Sequence, residues 1–421
     1  MGILEPLTHK EEIQELLDEA QRVYDSAKEK FEAQKKRTTK KLESLGEIKI
    51  KAWSEGMDNF VIAFGAFKNI DIDKHIDTSM NFIGSSEEPK QMLMNIENAS
   101  MTANEIAKAG MAAIGTGALI GIASYGGAMM FGTASTGTAI STLAGAAKTN
   151  ATLAWFGGGA KTAGGLGMNA GKLVLAGVVV APIIAVAAVI TSAKSKEKLA
   201  EAKKVNTEAK NAASEIDIMT TGMAGLAKMA DNYSSFIKKL DKKFAPFLVE
   251  LERVKKAHPT DKDGKIDFES LSLVEQKTLH VSWLMAQVYY RVLSTPILNA
   301  KGEVSVESTN ALKASAKGLK QIRKDTYRMT GEEAVVGDIV WKSEANRLLI
   351  INFIAIVAFI TIGCMTMGTS ALKGILFILC SGIAFPIFFK FRELPASKLY
   401  TWRLIRLIAA IVVAIVIGVL L

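Results

Sequence analysis

The sequence predicts an all-α protein: a cytoplasmic helical bundle or coiled coil, a central glycine-rich hydrophobic hairpin, and three carboxy-terminal transmembrane helices. Three observations predict it. Leu348 to Leu421 forms long apolar runs, the centre of the chain is glycine-rich and free of charge, and the charged stretches carry apolar residues at helical spacing. The composition shifts divide the chain into residues 1–108, a helical arm; 109–193, the hairpin; 194–340, a heptad-patterned region; and 341–421, the anchor.

Composition bounds the class. Hydrophobic residues make up 49% of the 421 and mean hydropathy is +0.22, high for a water-soluble chain, while 22% charged residues is too many for a bare channel. The charge is therefore concentrated, in residues 1–108 and again in 194–342. A net charge of +9 suits a body held against an anionic leaflet, where each nearby Lys or Arg contributes about 1 kcal/mol. Nucleic acid is not expected as a partner, because the aromatic and basic interleaving of single-strand binders is missing. Cys364 and Cys380 both fall in apolar runs and form no expected disulfide. Met1 to Lys10 lacks the apolar core of a secretory signal, and Pro6 breaks the myristoylation pattern, so insertion is expected to be directed by the carboxy-terminal helices.

In the first arm, Thr8 and Glu11 make a capping box that starts a helix. Ile13, Leu16, Leu17, Ala20, Val23, Tyr24, Ala27 and Phe31 then recur at steps of three and four, one apolar stripe that needs a partner. A second helix is expected through Leu42, Leu45, Trp53, Phe60, Phe64 and Phe67, with Gly46 and Gly56 weakening its continuity. After the centre, a heptad seam runs through Ile216, Met219, Met223, Leu226, Ala230, Tyr233, Ile237, Leu240, Phe244, Phe247, Leu251 and Val254. It fits an extended rod or the core of an ordinary bundle, with Pro246 expected to kink or restart it. Val274, Val281, Leu284, Val288 and Val292 mark a further helix ended by Pro296, and Leu312, Ala316, Leu319 and Ile322 a shorter one. No alternating run is long enough for a sheet.

The anchor is read as three crossings, Leu348–Met367, Gly374–Phe389 and Trp402–Leu421, against the roughly 20 apolar residues a bilayer requires. Lys390, Arg392, Lys398, Arg403 and Arg406 face a single acid, Glu393, and basic short loops stay cytoplasmic. Lys342, Arg347 and the whole amino-terminal body are then expected on the same side, with Trp341 and Trp402 at the inner interface.

The centre is unusual. Between Lys108 and Lys148 no side chain carries a formal charge. Trp155, Gly157, Gly158 and Gly159 follow, then a glycine run, then an apolar segment from Leu173 to Ala193 interrupted only by Pro182. Gly117 with Gly121, and Gly167 with Gly171, have the spacing that lets helix backbones approach closely in lipid. Glycine costs about 1 kcal/mol relative to alanine in an exposed helix, so this composition favours either membrane insertion or a hairpin buried by the other helices. The stretch Ser135 to Val186 resembles a glycine-rich hydrophobic module of uncharacterised bacterial proteins. Its layout is also similar to apolipoprotein-L-like proteins and α-helical pore-forming toxins, a resemblance that implies membrane activity and no catalytic residues.

Three near-motifs fail on context. Gly165, Gly167 and Ala170 outline a dinucleotide fingerprint without the strand and helix it needs. Asp261, Asp263, Gly264, Ile266 and Asp267 resemble the middle of a calcium loop, but Pro259 and Ser270 replace its strongest ligands. Asp71, Asp73, His75 and Asp77 share one side only if extended, and a solvated turn is the expected reading. No catalytic residue, cofactor site or metal site is expected.

The expected role is thus a bacterial inner-membrane effector that inserts its hairpin to depolarise the membrane, in self-toxicity or antiviral defence, acting on lipid as a homo-oligomer. The competing reading is a membrane-anchored scaffold that recruits a protein partner through the heptad helix.

Overall fold

The computed structural model describes residues 5–70, 89–110, 119–124, 198–299, 303–368, 370–384 and 394–420. Helix accounts for 89% of the described residues and strand for 2%, so the all-α class is observed. Contacts divide the chain into two compact units that alternate along the sequence. The first draws on Met1–Val61, Ser85–Asp241 and Tyr289–Ser315, the second on Ile62–Gly84, Lys242–Val288 and Ala316–Leu421.

In the first unit, α1 (Glu5–Lys51) continues through a π-helical turn, Ala52–Met57, into α2 (Asp58–Phe64), whose last three residues belong to the second unit. The two helices expected here are one run. Gly46 does not interrupt it, and the wider turn rotates the helix face so that Trp53, Met57 and Phe60 are all buried. The stripe on α1 finds its partner within the chain, on α5 (Lys198–Ala257). Ala20, Tyr24, Ala27 and Phe31 pack on Val205, Ala209, Ala212, Ala213 and Ile216.

The polar contacts flanking this seam fix its direction. Lys203 pairs with Glu12 at 3.2 Å, Lys210 with Glu19 at 2.9 Å and Lys41 with Asp231 at 2.9 Å, so the two helices run parallel. Asn206 Nδ2 donates to the Leu16 carbonyl at 2.9 Å, a polar register mark inside the seam. Exposed ion pairs contribute at most about 1 kcal/mol each, and the apolar seam therefore carries the pairing. Also described in this unit are α3 (Pro89–Ala109), a helical stretch at residues 119–124, here α4, and, from farther along the chain, residues 289–299 and 303–315.

The seam residues from Ala230 to Val254 are buried as the heptads predict. Pro246 lies inside α5 without ending it. Its missing amide and ring clash cost about 3 kcal/mol in a helix, offset by the burial of Phe244, Phe247, Leu251 and Val254 around it.

In the second unit, β1 (Phe67–Lys68) and β2 (Ile266–Asp267) form one short parallel pair. Ser272 and Glu275 form a reciprocal capping box at the start of α6 (Leu273–Ser294), whose residues from Tyr289 on belong to the first unit. Helix α7 (Val306–Arg328), which belongs to the first unit up to Ser315, is longer than its periodicity suggested. The chain then enters α8 (Ala334–Met367), α9 (Ala371–Ala384) and α10 (Ala396–Leu420).

Among the described residues two helices, not the three expected, are long and apolar enough to cross a membrane: Gly331–Met367 and Ala396–Val419. The described part of the third expected crossing falls short in length. The 14 residues of α9 reach about 21 Å at 1.5 Å per residue, short of a hydrocarbon core of about 30 Å; residues 385–389 of that expected span lie outside the described ones. Phe377 and Cys380 of α9 nonetheless pack on Ile356 and Phe359 of α8 and on Ala410 and Ile417 of α10. The approach of α9 to α8 is backbone-close, since a Cβ added at Gly363 would stand 2.8 Å from the Gly374 carbonyl oxygen.

Candidate membrane-active site

Within the predicted hairpin, residues 109–193, the described part beyond α3 and Gly110 is α4, and it is docked rather than exposed. Leu119, Gly121, Ile122, Ala123 and Ser124 are all buried. The contact begins at Gly46 of α1, where an added Cβ would lie 2.3 Å from the Leu119 carbonyl oxygen. Only glycine permits that approach. At the other end two carbonyls of α4 accept hydrogen bonds from outside it. Lys49 Nζ donates to the Ala123 oxygen at 3.1 Å, and the Ser124 oxygen accepts from the amides of Ile297 at 2.7 Å and Leu298 at 3.2 Å. Leu298 also forms an isolated bridge with Val304.

Lys49 is the anomaly of this unit. It is fully buried, its ammonium lies 5.6 Å from the centre of the Tyr233 ring, and among the described residues it has no carboxylate partner. Burial pushes its amine down from 10.5 to about 7. Tyr233 is itself fixed by its hydroxyl, which donates to the Ser308 carbonyl at 3.0 Å; burial raises its ionisation above the ordinary range. A second polar cluster surrounds the π-helical turn. Tyr289 donates its hydroxyl to Asp241, and Gly56 leaves room for the Tyr289 ring, which an added Cβ would meet at 3.2 Å. Burial, with a smaller contribution from Glu55, raises Asp241 from 3.8 to about 6.

In the second unit the start of α8 is a packed aromatic and ionic cluster. Trp341 lies between Tyr327 and Tyr400, with ring centres 5.6 and 5.1 Å away, and the Arg323 guanidinium stacks on its face at 4.6 Å. Glu344 accepts from Arg323 at 2.6 Å and from Lys243. Lys398 lies over the Tyr327 ring at 4.2 Å, and Asp338 accepts from the Ala396 amide at 2.6 Å, which caps α10. Further along, Asn352 is buried between α8 and α10, with Nδ2 donating to the Arg403 carbonyl at 3.2 Å while Oδ1 has no partner. Beyond this cluster the outer faces are bare: Phe353 and Ile354 on α8 are both 62% exposed, and Ile415 on α10 is 60% exposed.

The residues singled out from the sequence separate accordingly. Gly121 lies in the docked segment, whereas Gly117, Trp155, Gly157, Gly158, Gly159, Gly167, Gly171 and Pro182 fall outside the described residues. Trp341 is packed inside the aromatic cluster, while Trp402 is 49% exposed. Arg347 is exposed, Arg406 is half-buried, and Arg403 donates to the Ala345 carbonyl. Lys390 and Arg392 lie outside the described residues.

The calcium-like loop is occupied by a lysine. Asp261 Oδ1 accepts from the amides of Asp263 at 3.0 Å and Lys265 at 2.8 Å, and Oδ2 pairs with Lys68 Nζ at 2.7 Å. That Lys68 contact is the main cause holding Asp261 below the usual carboxylate range. Among the described residues no group of three His, Cys, Asp or Glu side chains is placed to hold a metal; Asp71, Asp73, His75, Asp77 and the Gly165–Ala170 pattern fall outside them.

Sequence reasoning missed Lys49, Gly46 and the Arg323–Glu344–Lys243 cluster. Lys49 had a signal: it stands in register with Leu42, Leu45 and Trp53, a charge in an apolar stripe. Comparison of the chain with protein-family models, with characterised proteins and with solved structures gives no match in any of the three.

Proposed function

We propose that the protein is a membrane-anchored effector whose helical body stores a glycine-rich apolar region and releases it into the bilayer, permeabilising or depolarising the membrane. The observation that carries this reading is α4: an apolar segment of the charge-free centre docked by backbone contacts, in a chain that ends in two helices fit for lipid. The bare faces of α8 and α10 have the exposure that lipid, as apolar as a protein core, covers at no cost. The α1 stripe already occupies part of the α5 seam, which leaves less of that helix for a recruited protein.

The proposal further places the anchor in a bacterial inner membrane, crossing more than once, with the amino-terminal body cytoplasmic and the chains assembled as a homo-oligomer. The basic residues Arg347, Lys398, Arg403 and Arg406 beside the apolar runs support that orientation. The test is induced expression with a potential-sensitive dye. The intact chain is expected to collapse the membrane potential, and deletion of Ala109–Ala193 to abolish the collapse. An intact potential at full expression, with stoichiometric partners recovered in a pull-down, would favour a scaffold and sink the proposal.

A further inference from the structure

Among the described residues Lys49 is buried without a counter-charge, and that makes its contact with α4 conditional. An ammonium brings three donors and a full charge into the site. What it meets there is one carbonyl, that of Ala123, and the face of one tyrosine ring. A buried charge without a partner is strongly disfavoured, whereas a neutral amine still donates to the same oxygen at little cost. The charged groups on the packed elements do not compensate. Glu47 and Lys51 on α1 are exposed, α4 contains no ionisable residue, and α5 presents the neutral Tyr233. On α3, Glu97, Glu105 and Lys108 are exposed, and α6 and α7 reach the site through Arg291 near Tyr233 and the uncharged Ser308.

We propose that Lys49 is a charge-sensitive catch on α4: the neutral amine closes it on the Ala123 carbonyl, and protonation opens it, freeing residues 119–124 from α1. Gly46 sets the depth of the docking, and Ser124, whose buried hydroxyl has no partner, reports on it. The depression of the Lys49 amine to about 7 gives the sign and the window. The folded value lies below the unfolded 10.5, so the cost of the buried charge is fully present below pH 7 and is lost as pH rises toward 10.5. The catch tightens with rising pH by one proton, about tenfold per pH unit. The inference rests on the proposed function only for the destination of the freed segment.

The experiment uses the full chain in nanodiscs, with Cys364→Ser and Cys380→Ala removing the native thiols and Ser124→Cys as the reporter. Maleimide labelling of that thiol is corrected at each pH by a model thiol peptide. With Lys49 present, the corrected rate is expected to fall about tenfold per unit from pH 7.5 to 9.5. In Lys49→Met it is expected to be low and flat. Lys49→Gln, neutral but still a donor, gives the same flat profile if the methionine variant fails to fold. A flat profile with Lys49 present, or the same slope in the folded Lys49 variants, overturns the catch. Dye release from anionic vesicles, measured alongside, judges the proposed function separately: a pH-dependent label with sealed vesicles keeps the catch and defeats the permeabilisation reading.

Discussion

Replacing Gly46 by alanine sets two opposed effects against each other, and the geometry decides the sign. In a helix interior, Gly to Ala ordinarily stabilises by about 1 kcal/mol through backbone entropy. At Gly46 the new Cβ would stand 2.3 Å from the oxygen, 2.8 Å from the carbonyl carbon and 3.0 Å from the Cα of Leu119. All three are backbone atoms, so no rotamer change relieves the contact. Overpacking of this kind costs typically about 1–3 kcal/mol. Moving α4 away instead breaks the Lys49 to Ala123 bond, and an unmet buried polar group costs about 1–3 kcal/mol. Either route outweighs the propensity gain. Gly222 and Gly225 on α5 are the controls, because an added Cβ there meets nothing within 4 Å and each alanine should stabilise by about 1 kcal/mol. The assay is hydrogen exchange of the peptide containing residues 119–124, with urea unfolding of the detergent-solubilised chain. Gly46→Ala is expected to reduce protection of 119–124 at least tenfold while α1 stays helical. Unchanged protection, with stability raised as in Gly222→Ala, would refute the close docking of α4.

Asp241 titrates in the opposite sense to Lys49: its folded value is raised from 3.8 to about 6, so its contribution is present below pH 3.8 and is lost as pH rises through 6. Asp241→Asn is expected to flatten the unfolding free energy over that window, measured as urea midpoints against pH. Glu344→Gln removes the carboxylate from between Lys243 and Arg323 and should cost about 3 kcal/mol, the scale of breaking a largely buried ionic cluster, read from the same urea curves. Asn352→Leu should change stability by less than about 1 kcal/mol, because the lost interhelical bond is worth about 0.6 kcal/mol in lipid and the unpartnered Oδ1 goes with it; reversible unfolding in mixed micelles measures it. Calcium at millimolar concentration is expected to leave the melting of the intact chain unchanged, since Lys68 already pairs with Asp261, and a calcium-dependent rise in Tm would count against that assignment.

What the sequence revealed tracks the reach of its signals. Periodicity is local, so the α1 stripe from Ala20 to Phe31 and the α5 seam to Val254 were legible as buried faces. That the first would pack on the second some 190 positions away, in parallel, was not. Breaker residues misled where packing outweighed them. Gly46 was read as a weakness and is the one residue type that lets α4 approach, and Pro246, read as a kink or restart, lies within one helix that runs on past buried phenylalanines. The apolar runs announced helices fit for a membrane but not their count among the described residues, where the run after Gly374 supplies α9 (Ala371–Ala384). Trp341 looked like an interfacial indole, yet the arginine that covers it comes from α7, and no pattern along α8 announces that partner.

The docked segment also shows where control of such a device has to reside. On the proposed reading, Leu119, Ile122 and Ala123 exchange between a protein interior and lipid, and both exclude water. The hydrophobic effect, which dominates folding, then nearly cancels between the two states. What does not cancel is polar: the bonds accepted by the Ala123 and Ser124 carbonyls and the charge on Lys49. In lipid those carbonyls must find other donors. For Lys49, the difference between 10.5 and about 7 corresponds to about 5 kcal/mol at 1.36 kcal/mol per pH unit. A change of about 5.5 kcal/mol carries a two-state equilibrium from 1:99 to 99:1. One buried amine is therefore of the right size to set the population of a segment whose apolar side chains are indifferent to the choice.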